Sequence, residues 1–96
     1  MKLLLVIYSG AQSRLVPELL EAHEAGGYTE LGDAHGTGTT GPRVGTRAWP
    51  GNARIYFSIV PAGRTDALVA ALRAAAGTLA PQERLHAAVL PTETFF

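Results

Sequence analysis

The chain alternates apolar blocks with polar breaks in two similar halves. Leu3, Leu4, Leu5, Val6 and Ile7 run without interruption. A strand would place these side chains on both faces, so residues 1–8 predict a strand that needs cover on each side. Ser9-Gly10 breaks the run. Ser13 then reads as a helix N-cap, and Pro17 falls in the first turn, where a missing N–H is harmless. Leu15, Val16, Leu19, Leu20 and His23 follow one helical stripe, with Glu18, Glu21 and Glu24 outside it. Gly26-Gly27 predicts the stop. Residues 28–34 form a weaker strand, in which Tyr28, Glu30 and Gly32 alternate with Thr29, Leu31 and Asp33.

The second half repeats the order. Residues 53–60 predict a strand with Ile55, Phe57 and Ile59 on one face and Tyr56 and Val60 on the other. Pro61-Ala62-Gly63 reads as a turn, and Gly63 or Arg64 as the cap of a second helix, with Asp66 near its positive end. Leu68, Val69, Leu72, Ala75 and Ala76 supply the buried stripe, and Gly77 ends it. A connector over 79–83, a last strand over 84–90 and a tail ending in Phe95-Phe96 complete the chain. Between the halves lies HGTGTTGPRVGTRAWPGN, residues 35–52, with five of the eleven glycines and two of the six prolines. That punctuation predicts no regular element, and a loop of this length in a small domain is usually functional or disordered.

The order βαβ, loop, βαβ predicts a single α+β domain over residues 1–96. It is the ferredoxin-like βαββαβ sandwich, a four-stranded antiparallel sheet with two helices on one face. Helices on one face leave half of the first strand's apolar side chains uncovered. Each large side chain left in water forgoes about 1.5–3 kcal/mol, so copies packing their open sheet faces together are expected. A monomer covered by its own loop and tail is the other arrangement.

Charge narrows the partners. Eight basic and eight acidic residues give zero net charge, so no long-range pull toward nucleic acid or an anionic membrane is expected. Cysteine is absent, which excludes disulfides, thiolate metal sites and a cysteine nucleophile. The longest apolar run is too short to span a bilayer and lacks the features of a signal peptide, so a cytoplasmic location and no membrane insertion are expected.

Several residues carry a family likeness. Thr29-Glu30 followed by Gly36-Thr37-Gly38, Asp66 with Leu68-Val69, and Arg84 together resemble the PII-type signalling proteins and their CutA-type relatives. The likeness in element order covers nearly the whole chain. It implies a homotrimer with sheets facing inward, and a T-loop-like flexible segment over 35–52 between strands 2 and 3. It also implies an effector, with ATP, ADP or AMP as candidates, held against Thr29, Gly36, Thr37, Gly38 and Arg84. The segment 77–84 departs from the family's phosphate loop T-G-x-x-G-D-G-K: it lacks the second and third glycines and adds Glu83. The family's tail arginines and loop-tip tyrosine are also missing, so the likeness supports the fold but by itself neither ATP sensing nor loop uridylylation.

Other constellations need weighing. Residues 36–41 match G-x-G-x-x-G, but Pro42 and Gly45 deny the helix that dinucleotide binding requires. The same small residues can form an anion nest, with Arg43 and Arg47 as charge-assisted donors; a flexible loop with two solvated arginines is the plainer reading. Trp49 is a candidate anchor for a protein partner, or a lid residue packed on the protein itself. Asp33 and His35 invite a divalent metal at His35, in the manner of a CutA-like protein, yet two ligands do not make a site. His23 and His86 read as ordinary half-buried histidines. No nucleophile–base pair stands out, so an enzyme with a site between subunits is the minor alternative. Tyr56-Phe57 is a faint echo of an RNA-recognition strand without the basic surroundings. Taken with the PII-type resemblance, these residues predict a regulator that is not an enzyme and whose 35–52 loop docks a protein partner; the likeness of residues 41–52 to a divergent PII-like branch implies a membrane transporter as the candidate.

Overall fold

The computed structural model describes residues 1–35 and 53–96, and the backbone of 37–38 and 41–42. Its elements are β1 (Lys2–Ser9), α1 (Leu15–Ala22), β2 (Thr29–Ala34), β3 (Thr37–Gly38), β4 (Gly41–Pro42), β5 (Ala53–Val60), α2 (Ala62–Ala76) and β6 (Arg84–Pro91). The main sheet runs β2-β5-β1-β6, and every neighbouring pair is antiparallel. This is the ferredoxin-like sandwich that the element order predicts.

The core lies between the sheet and the two helices. Leu4, Val6 and Tyr8 of β1 and Tyr56 and Val60 of β5 meet Val16 and Leu20 of α1 and Leu68 and Leu72 of α2. The other parity of β1, Leu3, Leu5 and Ile7, faces away from the helices and is only half buried. Strand register extends this second face into three rows: Leu90–Leu3–Ile59, Ala88–Leu5–Phe57–Thr29 and His86–Ile7–Ile55–Leu31. Ile55, Phe57 and Ile59, the more apolar set of β5, therefore lie on the open face.

Several local expectations are corrected. Ser13 does not cap α1: the cap is Arg14, without a side-chain hydrogen bond, and the Ser13 N–H donates to the Ala11 carbonyl at 3.1 Å. The helix ends at Ala22, before Gly26-Gly27. The Glu24 N–H bonds the Glu21 carbonyl at 3.1 Å, and the Ala25 N–H bonds the Leu20 carbonyl at 3.0 Å. That pair is a Schellman closure, with Glu24 at φ 52 in the place usually given to glycine. Buried Ala25 folds back on buried Leu20, and this contact stops the helix earlier than the glycines would.

Helix α2 starts at Ala62 with Pro61 as its cap, not at Gly63 or Arg64, and its first turn holds no acid, so Asp66 lies beyond it. The Thr65 hydroxyl donates to the Pro61 carbonyl at 3.1 Å. Inside the segment predicted to be irregular, Thr37 pairs with Pro42 and Gly38 with Gly41. Backbone pairing needs no side chain, so glycine punctuation does not forbid it.

Candidate functional site

One end of the sheet gathers the features that could bind a ligand. The last residues of β1, the first of β6 and the first of β5 share this end. Ser9 pairs with Arg84, Tyr8 with Arg54, and Ala34 with Ala53. Residue 35 therefore leaves the sheet, and residue 53 re-enters it, at the same end as Arg84, with β1 lying between β5 and the Arg84 strand. Just before that exit β2 has a bulge between Leu31 and Ala34, with Asp33 at φ 57. An irregularity of this kind bends an edge strand and redirects the chain that follows.

Two turns meet under this end, residues 10–14 after β1 and 77–83 after α2, and a single carboxylate joins them. Glu83 is buried, with 7% of its surface exposed. Its Oε2 accepts the Ala11 N–H at 3.0 Å and the Tyr8 hydroxyl at 3.2 Å, and its Oε1 accepts the Ala80 N–H at 3.1 Å. The Tyr8 oxygen in turn accepts the Gln12 N–H at 2.8 Å. The Ala11 and Ala80 amides hold the Glu83 carboxyl below the usual carboxylate range; burial opposes them and does not win. Burial pushes the Tyr8 hydroxyl up, the Gln12 amide pulls it back, and the nearby Glu83 charge pushes it further up.

Gly10 lies against this group. A Cβ there would fall 2.5 Å from Glu83 Oε2 and would collide with the Tyr8 hydroxyl. Only glycine lets the backbone come so close. The sequence shows Gly10 as a break and Glu83 as an addition to a loop, but not their meeting, because Tyr8 and Glu83 are 75 residues apart.

Arg84 follows Glu83 directly. Its Nη1 donates to the Pro81 carbonyl and, at 2.7 Å, to the Glu83 carbonyl. Among the described residues it has no acidic partner, so its charge is available to an anion. The predicted effector residues do not converge within one chain. Thr29 is in the row of Leu5 and Arg84 is beside Ser9, on opposite edge strands. Strand spacing puts them roughly 14 Å apart across the sheet and about 13 Å apart along it. Thr29 instead borders a cavity of about 450 Å³ near Met1, Gly27, Phe57 and Phe95.

Thr37 and Gly38 are placed only as backbone, in β3. Gly36, Arg43, Arg47 and Trp49 lie outside the described residues. His35 is exposed at the end of β2, His23 is half buried, and His86 is exposed on the open face. Among the described residues no three His, Asp or Glu side chains converge on a metal position. Nor is any described helix long and apolar enough to cross a membrane.

No protein-family model matches the chain, and no curated protein matches it. Solved structures do match. CPII, a nitrogen regulatory PII-like protein from Thiomonas intermedia K12 solved with ADP, AMP and bicarbonate, is 21% identical. The match covers 93% of this chain and 86% of that one, with a TM-score of 0.69. The apo form of CPII is 17% identical by its own match, covering 93% and 87%, with a TM-score of 0.64. A chain from Thermus thermophilus designated a PII-like signaling protein is 18% identical, covering 92% and 82%, with a TM-score of 0.62. At these identities the likeness is one of architecture, and the chain has the ferredoxin-like fold of the PII-like proteins.

Proposed function

We propose that this chain is a PII-like regulator, not an enzyme, that senses a small anionic effector and reports it through residues 35–52. The observation that carries the proposal is the placement of Arg84. It is a cation without an acidic partner among the described residues, at the same end of the sheet from which that segment leaves and to which it returns. CPII, which shares the fold, was solved with ADP, AMP and bicarbonate, so an adenine nucleotide or a small oxyanion is the effector class.

The distance between Thr29 and Arg84 sets the geometry of binding. One chain cannot bring both to a single ligand, whereas a cleft between copies can take Arg84 from one and the β2 edge from its neighbour. The open apolar face supplies the association, and a homotrimer is the arrangement proposed. The effector selects one state of the 35–52 segment by binding it more tightly than the others, and that state docks a protein partner, with a membrane transporter as the candidate. A regulator reading adenine nucleotides would work in the cytoplasm.

Calorimetry with ATP, ADP, AMP and bicarbonate tests the proposal. Heat of binding is expected for at least one, weakened about tenfold or more by Arg84→Ala, the scale of one lost charge-assisted contact. Silence across the four ligands sinks it.

A further inference from the structure

We infer that Glu83 is the positioning residue of the anion site: its carboxylate, seated on the Ala11 and Ala80 amides, fixes the turn that aims Arg84 at the effector. The inference rests on the proposed regulator reading and adds a residue to it. Three features of the packing support it.

The carboxylate closes its own turn. The Ala80 N–H donates to Glu83 Oε1 at 3.1 Å, and the Glu83 N–H donates to the Ala80 carbonyl at 2.9 Å. This reciprocal pair sets the path of residues 80–83. The other carboxylate oxygen ties that turn to Ala11 and Tyr8, and the Gly10 backbone packs directly against the group.

Arg84 inherits its direction from the same turn. Both carbonyls that accept from its Nη1, those of Pro81 and Glu83, belong to the segment the carboxylate closes. If the turn opens, the two acceptors move and the guanidinium loses its anchor.

The charges are also arranged for an outside anion. Adjacent Glu and Arg side chains could neutralise each other. Here Glu83 spends its negative charge on two amides and a hydroxyl, and Arg84 forms no ion pair with it. The Ala11 and Ala80 amides are consumed internally, so an effector's oxygen meets the guanidinium rather than those amides. Recognition then depends on where the guanidinium points.

The test is a cycle on the full chain. Wild type, Glu83→Gln, Arg84→Ala and the double variant are titrated with ATP, ADP, AMP and bicarbonate, and each is melted. Glutamine keeps the shape but presents an NH₂ to one of the N–H donors. Glu83→Gln is expected to weaken binding several-fold, and the double variant to bind no more weakly than Arg84→Ala. In the ligand-free protein, the Arg84 Nε–H resonance is expected to be resolved in wild type and averaged in Glu83→Gln. Tyr8→Phe removes one donor and keeps both amide bonds. It should show the same dependence on Arg84 at smaller amplitude, and it decides the matter if Glu83→Gln does not fold. Wild type that binds, with losses from Glu83→Gln and Arg84→Ala that multiply in the double variant, overturns the positioning role alone. Wild type silent to all four ligands overturns the regulator reading and any effector role for Glu83.

Discussion

Glu24 carries a backbone conformation that its side chain does not favour. Left-handed φ costs a residue with a Cβ about 1–2 kcal/mol, and Glu24 holds φ 52 to complete the closure of α1. Its ion pair with Arg64, at 2.6 Å, joins two exposed side chains and stabilises little. Glu24→Gly is therefore expected to raise stability by about 0.5–1 kcal/mol after the added entropy of glycine in the unfolded chain. Urea unfolding checks this, and a lower midpoint would show that the pair outweighs the strain. Tyr56 offers a contrasting case. Its hydroxyl is buried without a hydrogen-bond partner among the described residues, and its ring meets Tyr28 edge-on at 5.9 Å. Burial, helped by the Glu30 charge, pushes that hydroxyl's pKa up against the opposing pull of the nearby Arg54 guanidinium. Tyr56→Phe keeps the packing and removes the unsatisfied group, so its stability is expected to equal wild type or exceed it by up to about 1 kcal/mol. A loss of 2 kcal/mol or more, on the order of a broken buried hydrogen bond, would reveal a partner for the hydroxyl.

At the scale of elements, the two turns beneath β1 and β6 act as one unit through Glu83. The amides that hold its carboxyl below the usual range make folding favour the ionised form. Its contribution is complete above the ordinary glutamate value of about 4.3 and is lost as pH falls through the lower folded value. Wild type is expected to lose stability more steeply than Glu83→Gln on acidification below roughly pH 4.5. Urea midpoints measured across this range decide it, and parallel curves for the two proteins would remove the carboxylate from the account. Gly10→Ala attacks the same unit sterically, since its Cβ would press on the Tyr8 hydroxyl and Glu83 Oε2. The expected cost is about 1–3 kcal/mol, as for other overpacked sites.

For the whole molecule, the open face of the sheet is the dominant feature. Leu3, Leu5, Ile7, Ile55, Phe57 and Ile59 lie side by side there, only half buried. Exposed Leu31 and Leu90 extend the patch to both edge strands. Such a surface is costly in water, and the proposed homotrimer would cover it. Leu5→Asp, at the centre of that face, is expected to leave the helix side intact and reduce the light-scattering mass to a single chain. A wild-type mass of one chain at micromolar concentration would overturn the homotrimer.

The sequence by itself determined the element order, the antiparallel sheet and the presence of an apolar face beyond the helices. Those properties follow from local periodicity: the run 3–7, the stripes of the two helices and the glycine breaks between them. The chain's resemblance to the PII-type proteins also marked Arg84 as a candidate anion ligand. The tertiary structure decided which parity of β1 meets the helices. Leu4, Val6 and Tyr8 alternate with an equally apolar set, so pattern alone is symmetric, and only packing against Val16, Leu20, Leu68 and Leu72 breaks the tie. It also decided that Thr29 and Arg84 stand apart within a chain, and that Glu83 meets Ala11 and Tyr8. Those relations join residues distant in sequence, and no local preference encodes a contact that exists only once the sheet has brought its two ends together.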